Sequence, residues 1–322
     1  MRVYKDFPLS EILYYKIGGE AKVLLKIENK EDLLQALDFI KKEKHGRILP
    51  IGLGSNLLLN DNFFDGVVLW FCSGKSSTIR LNSDNLVEVF AAESLDDIIN
   101  FSFNNNLIGL EWAGGLPSTI GGAVRGNVGA FGGEISRSVE RIEVFEVGQN
   151  GEFVQKTLGS LELEFGYRDS IIKKNKNMIV SSAVFKLTKA DDKTVEQARN
   201  VYLSRIEYRN KNHPMEHPSC GSVFKNITKR EDVEKVLSVW RDVGELSQNK
   251  WYNKVSSGYI INRLGFSGFT IGGAKVSERH GNYIVNFRNA RFDDVLGIIE
   301  KIKEKFYKTF GFYPELEVEV VR

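Results

Sequence analysis

"GLPSTIGGAVRGNVGAFGGEISR", Gly115–Arg137, is the stretch on which the reading of the fold turns. Glycine recurs every few residues, with almost no charge and no helical period. Glycine loses more backbone entropy on ordering than any other residue, so such a density is costly. Either the segment is a flexible linker, or its backbone must approach something closely. Linkers favour Ser, Pro and charge, whereas Leu116, Ile120, Val124, Val128, Phe131 and Ile135 recur here at near-regular spacing. The composition favours the close approach.

A second glycine-broken loop lies upstream. "IGLGSNLLL" (51–59) follows a strand and carries Ser55 and Asn56 at its tip. Such a turn offers backbone N–H groups, a hydroxyl and an amide, which together make a small anion nest; it is equally the form of an ordinary tight turn. It is not GxGxxG, and no GxxxxGK[ST] string occurs anywhere in the chain. Two such loops in one β-rich half suggest a ligand with a diphosphate. FAD in a non-Rossmann fold is the natural candidate.

Around the loops, "AKVLLKI" (21–27), "EDLLQALDFIKKEK" (31–44) and "RILPIG" (47–52) read as a βαβ unit, with Leu33, Leu34, Leu37 and Ile40 on one helical stripe. "GVVLWF" (66–71) is a buried strand. "TIRL" and "LVEVFAA" flank "NSDN" as a hairpin, and Ser94 caps "LDDIINFSFNNN" with Asp97 three residues on. "RIEVFEV" and "EFVQKTL" flank "GQNG" as a second hairpin. "MIVSSAVFKL" (178–187) is a strand, and helices are expected over 191–211, 230–244, 256–265 and 291–311, the last two closed by Gly265 and Gly311. The chain closes on "ELEVEVV", strictly alternating. Strands and helices mix without a repeating βα pattern, which predicts an α+β fold over a doubly wound one.

The 322 residues are 42% hydrophobic and 27% charged, with a net charge of +2. This is ordinary globular composition, with nothing that points to nucleic acid or an anionic membrane, and no obligate protein partner is evident. Only two cysteines occur, Cys72 and Cys220, with no CxxC or Cys/His cluster, which argues for a reducing compartment and against structural zinc. His45, His213, His217 and His280 form no metal-ligand spacing, so no metal is expected. No apolar run reaches the ~18 residues of a membrane span and no signal peptide is evident, so the expected location is the cytoplasm.

Three more strings, "FGYRDS" (165–170), "PSCGSVFKN" (218–226) and "GFTIGGAKVSERHGNYIVN" (from 268), are more polar than a core needs. Together with the two glycine loops they closely resemble the UDP-N-acetylenolpyruvoylglucosamine reductase family, in order and from about Lys16 to Val321. The resemblance implies an FAD-binding region of the vanillyl-alcohol-oxidase (PCMH) type in two subdomains, 1–65 and 66–205. A C-terminal α+β substrate-binding domain, 206–311, follows, and a last strand within 312–322 returns to the first subdomain. It implies non-covalent FAD lined by Gly52, Gly54, Ser55, Asn56 and Leu57 and by Gly115, Ser118, Thr119, Gly121, Gly122, Asn127 and Gly129. NADPH would be co-substrate and UDP-N-acetylglucosamine enolpyruvate the acceptor.

The implied reaction delivers a hydride to the carbon remote from the carboxylate, so charge builds on the carboxylate side and must be stabilised, then protonated. By resemblance Arg168 is the cation, since a planar fork holds a carboxylate bidentately. Ser222 is the proton donor, in preference to Cys220, and Glu317 is the third catalytic residue. Lys211 and Asn226 would meet the nucleotide sugar. The chain departs from the family pattern at Tyr14-Tyr15, at Gly18-Gly19-Glu20-Ala21, at Val128 in "NVGAFG", and at Glu319, where Arg is usual. The span from Ser170 to Ser222 looks too short for the substrate-covering tyrosine loop of one family class. Extra residues lie between Asn226 and Ser256, with a surface helix expected over Arg230–Gly244. Two other readings stay open: an oxygen-using sugar or alcohol oxidase of the same flavoprotein superfamily, and a non-catalytic UDP-sugar or flavin-binding regulator.

Overall fold

The structure is a computed structural model that describes every residue except Lys44, His45, Ser76, Ser77, Gln149, Asn150 and Tyr252, and the side chain of Ser83. His45 and the centre of the expected "GQNG" turn therefore lie outside the described residues. The fold is α+β. By contacts the chain divides into two compact units, one of Met1–Phe7, Ala21–Leu53 and Phe64–Arg209, the other of Pro8–Glu20, Gly54–Phe63 and Asn210–Arg322.

The first unit holds two sheets. One has four strands in the order Arg2–Pro8, Glu20–Ile27, Phe64–Phe71, Ile48–Ile51. Glu20–Ile27 and Ile48–Ile51 both run parallel to Phe64–Phe71, which lies between them. A strand so placed is covered on both faces, which is why "GVVLWF" is a continuous apolar run. The connecting helix, Lys30–Glu43, buries Leu33, Ala36, Leu37 and Ile40. The other sheet is antiparallel, in the order Phe153–Gly159, Val139–Val147, Met178–Lys186, Leu86–Phe90, Arg80–Leu81. Both expected hairpins are in it. Leu25 and Leu69 from one sheet and Val89, Ile142 and Ala183 from the other belong to one core. Ser94 caps Leu95–Asn104 through a capping box with Asp97.

Gly115–Arg137 is more regular than its composition suggests. It contains a six-residue helix, Ile120–Arg125, a two-stranded antiparallel pair, Gly129–Ala130 with Gly133–Glu134, and a 3-10 turn, Ile135–Arg137. Packing supplies what propensity lacks: Ile120, Ala123, Val124 and Ile135 are fully buried.

The second unit is built on the helix Phe292–Phe310, which buries Phe292, Val295, Ile298, Ile299, Ile302, Phe306 and Phe310 along one stripe. It stops at Gly311, in the left-handed region at φ 76°. A three-stranded antiparallel meander, Thr270–Ile271, Ala274–Val276, Ile284–Asn286, and the helix Ser257–Arg263 join the same unit.

Two expectations are corrected here. The alternating "ELEVEVV" is not one continuous strand: Glu319–Val321 pairs parallel to Leu57–Leu59, while Leu316 forms an isolated antiparallel bridge with Phe224. Before it the chain bonds elsewhere, Lys225 N–H to Glu315 O at 2.9 Å and Glu317 N–H to Val223 O at 2.8 Å. Arg230–Gly244 is not one helix either, but two, Arg230–Val239 and Val243–Lys250. The break is at Trp240 (φ −129°, ψ 86°), whose ring packs edge-on against Phe310 at 5.0 Å with the Arg263 guanidinium 4.3 Å above it. The indole's packing leaves the helical path. This excursion leaves and returns at Ile227 and Val255, which exchange both backbone hydrogen bonds at 3.0 and 2.9 Å.

Candidate active site

Within the first unit Gly52 meets the second glycine loop. A Cβ on Gly52 would fall on the Oγ1 of Thr119, closer than real atoms approach. Thr119, 3% exposed, is held there as the N-cap of Ile120–Arg125 and accepts from the Gly122 N–H at 3.4 Å. Gly115 sits at φ 69°, where side chains are strained, and a Cβ there would lie 3.3 Å from both Arg209 and Ile206 of the helix Asp192–Asn212. Arg209, buried in that helix, donates from Nε to Gly114 O at 2.9 Å. Gly121 lies against Ala91, its N–H donating to Ala91 O at 3.0 Å, while Gly122 is exposed.

The residues present fit a diphosphate cofactor. Neither Gly52–Leu57 nor Gly115–Gly129 contains a carboxylate, and both carry hydroxyls, at Ser55, Ser118 and Thr119. The N–H groups of Leu53, Gly54 and Asn56 donate to no backbone carbonyl among the described residues, and backbone donors of that kind suit an anion.

Arg168 also belongs to the first unit. Gly166 and Asp169 exchange backbone hydrogen bonds at 3.0 and 3.1 Å, leaving Tyr167 and Arg168 at the tip of a tight turn with Arg168 at φ 56°. Lys173 Nζ donates to Arg168 O at 3.1 Å. The guanidinium Nη1 lies 3.4 Å from where a Cβ on Gly129 would stand, so the turn and the second glycine loop are neighbours. Asn127 and Ser170 link them: Asn127 Nδ2 donates to Gly166 O at 2.8 Å and Ser170 Oγ to Arg125 O at 2.7 Å.

The second unit joins the segment that carries Ser222 to the one that carries Glu317. Ser222 is half-buried on an extended segment whose next residue, Val223, donates to Asn282 O and accepts from Glu317 N–H, both at 2.8 Å. Asn282, 3% exposed, also accepts from Phe224 N–H at 2.9 Å and donates to Phe224 O at 2.7 Å. Nothing in "RHGNYIVN" announced that role, because a buried asparagine looks like any turn asparagine in sequence. Asn56 Nδ2 donates to Glu317 O at 3.1 Å, and Glu319 N–H to Asn56 O at 3.0 Å. Of the alternating glutamates, Glu315 is exposed and paired with Lys229 at 2.5 Å, which holds its carboxyl below the usual range, while Glu317 is half-buried. Cys220 is 2% exposed, and burial pushes its thiol up to about 12. Asn226 Oδ1 accepts from Ser257 N–H at 3.2 Å, so half of its amide serves the helix Ser257–Arg263. Lys211 is exposed in the last turn of Asp192–Asn212.

His213 and His280 pack edge to face at 5.3 Å, and His213 Nδ1 lies 3.0 Å from the Tyr283 hydroxyl. Burial lowers the basicity of His280. Among the described residues no group of three or more His, Cys, Asp or Glu could hold a metal ion, and no helix is long and apolar enough to cross a membrane.

Comparison with known proteins follows the same division of labour. A family model described as "FAD binding domain" matches residues 21–155, and one described as "UDP-N-acetylenolpyruvoylglucosamine reductase, C-terminal domain" matches 213–321. Loops and matched domain together define an FAD-dependent oxidoreductase. The UDP-N-acetylenolpyruvoylglucosamine reductase of Thermotoga maritima is 34% identical over 312 residues, 95% of this chain and 94% of its own length. That of Fusobacterium nucleatum is 30% identical over 322 residues and the whole of both chains. A crystal structure of the reductase from Thermus caldophilus superposes with a TM-score of 0.74 at 27% identity, covering 100% of each chain. The chain belongs to the UDP-N-acetylenolpyruvoylglucosamine reductase family.

Proposed function

We propose that the chain reduces the enolpyruvyl ether of UDP-N-acetylglucosamine to UDP-N-acetylmuramate with NADPH, in the cytoplasm, as a step of peptidoglycan precursor synthesis. The relatives that match its full length carry the name of that reductase. The observation that supports the assignment of residues is the hydrogen bond from Glu317 N–H to Val223 O, which ties the Glu317 segment to the one that carries Ser222. Bound without a covalent link along Gly52–Leu57 and Gly115–Gly129, FAD supplies the hydride chemistry between NADPH and the enolpyruvyl double bond.

The chain's own residues handle charge and proton. The Arg168 fork holds the substrate carboxylate and stabilises the negative charge that builds beside it when the remote carbon gains a hydride. Ser222 then gives its Oγ proton to the carbon bearing the carboxylate, and solvent restores it. Serine is a weak acid, so the step depends on a strongly basic carbon and tight placement. Cys220 is the poorer candidate in this setting, because its side chain is buried, 2% exposed, in the hydrophobic core of the second unit. Glu317 is the third catalytic residue, and Lys211 with the Asn226 NH₂ group meets the nucleotide sugar.

The purified holoprotein should be yellow, bleach with NADPH in the absence of oxygen, and recover its colour on addition of UDP-N-acetylglucosamine enolpyruvate. Recovery with oxygen but not with the enolpyruvyl substrate would make it an oxidase; no bleaching at all would make it a binding protein. Acid denaturation should release all flavin to the supernatant, and flavin retained on the precipitate would contradict the non-covalent link.

A further inference from the structure

We propose that Asn127 is a positioning residue for Arg168: its side chain ties the second glycine loop to the turn that presents the guanidinium. Asn127 is 2% exposed and sits at φ 40°, a left-handed conformation that asparagine tolerates better than most side chains. Both ends of its amide are engaged by protein. Oδ1 accepts from the Ser136 N–H at 3.3 Å, and Nδ2 donates to Gly166 O at 2.8 Å. Gly166 O thereby takes two donors, because the Asp169 N–H closes the turn on the same carbonyl at 3.1 Å.

The tie has a companion on the other side of the turn, Ser170 Oγ to Arg125 O at 2.7 Å. Residues 125 and 127 thus hold residues 170 and 166, with Arg168 midway between. The position asks for three things at once: a left-handed backbone, an acceptor and a donor. Glycine meets the first alone, aspartate the first two, and asparagine all three. The turn's own backbone bonds are the one pair between Gly166 and Asp169, so the clamp fixes where the turn that carries Arg168 stands against the second glycine loop. Misplacement of a positioning group by about 1 Å costs on the order of 10²-fold in rate.

The inference rests on Arg168 being the carboxylate-binding cation, and its test separates the two claims. Asn127→Gly, Asn127→Asp and Arg168→Ala are prepared as FAD-loaded proteins. Each half-reaction is followed without oxygen, and amide exchange of Asp169 is measured alongside. In Asn127→Gly the Asp169 amide should exchange roughly tenfold faster, as the turn opens locally. Flavin reoxidation by the enolpyruvyl substrate should slow by about 10- to 100-fold, with a raised KM for that substrate, and by at least about tenfold more than reduction by NADPH. Asn127→Asp keeps the acceptor for Ser136 and should fall in the same direction; it carries the test if the glycine variant does not fold. Equal slowing of both half-reactions, or a substrate step at the wild-type rate, overturns the positioning role while Arg168→Ala remains inactive. An active Arg168→Ala would instead remove the reading of Arg168 itself.

Discussion

The turn that carries Arg168 is closed by one backbone pair, Gly166 with Asp169, and tied to its surroundings by side chains, whereas the segment that carries Glu317 is held mainly by backbone. Arg168 depends on the Asn127 amide, the Ser170 hydroxyl and the Lys173 ammonium. Glu317 lies in a run of main-chain bonds, Lys225 to Glu315, Glu317 to Val223 and Glu319 to Asn56, to which Asn56 Nδ2 adds one side-chain bond. A backbone ladder survives almost any substitution along it, whereas a side-chain clamp fails with one. The two regions should therefore differ in how far a distant single change can reach the chemistry.

Between these two regions the largest effect expected is at Arg168 itself. Arg168→Ala should slow flavin reoxidation by the enolpyruvyl substrate by about 10²–10³-fold, the scale of losing one preorganised charge-stabilising group. Arg168→Lys should be nearly as slow, because a point charge cannot reproduce a bidentate fork. Stopped-flow kinetics decides it: recovery of most activity with lysine would reduce Arg168 to a counter-ion.

The meeting of Gly52 with the second glycine loop is tested by Gly52→Ala. The new methyl is driven onto Thr119, and the protein should lose about 1–3 kcal/mol, the range for overpacking. Adding Thr119→Ala should return part of that loss, and urea unfolding of single and double variants measures it. No recovery would mean that the strain at position 52 is relieved elsewhere.

Asn56→Ala sharpens the contrast more gently. It removes one side-chain bond to Glu317 O but leaves the ladder, so stability should fall by about 1 kcal/mol. Its effect on the substrate half-reaction should be smaller than that of Asn127→Gly. The reverse order would erase the distinction between clamp and ladder.

A further effect concerns alkaline pH. Cys220 keeps its proton in the folded chain up to about 12, whereas an unfolded thiol loses it near ~8.5. The folded state therefore binds more protons above that lower value, and stability falls as pH rises. The contribution at pH 9.5 is about 1.4 kcal/mol of destabilisation relative to pH 7. Cys220→Ala should remove that part of the slope in urea titrations between pH 7 and 9.5; an unchanged slope would mean that the thiol ionises alike in both states.

Much of this was legible in the chain. Periodicity marked Phe292–Phe310, and Ser94 with Asp97 marked Leu95–Asn104, because amphipathic spacing and caps are local signals. The terminal strand was overread because "ELEVEVV" alternates perfectly, yet its first residues bond to Val223 and Lys225, partners about ninety residues away. The break at Trp240 was missed for the same reason: only the distant Phe310 and Arg263 explain it. In the site, the resemblance pointed to Arg168 and Ser222, but the buried amides of Asn127 and Asn282 had no sequence signal to show what they hold. Gly52 was read as bare backbone for a ligand, and the structure adds a protein reason, the Thr119 side chain.

The central claim, that Ser222 and not Cys220 delivers the proton, is tested most directly by stopped-flow measurement of both half-reactions in Ser222→Ala and Cys220→Ala without oxygen. Ser222→Ala should keep NADPH-to-flavin reduction near the wild-type rate, since no proton is needed there at the substrate carbon. Reoxidation by the enolpyruvyl substrate should fall by about 10²–10⁴-fold, the scale of general acid catalysis. Cys220→Ala should be nearly silent in both steps. Comparable slowing of both steps in Ser222→Ala, or an inactive Cys220→Ala beside an active Ser222→Ala, would contradict the account.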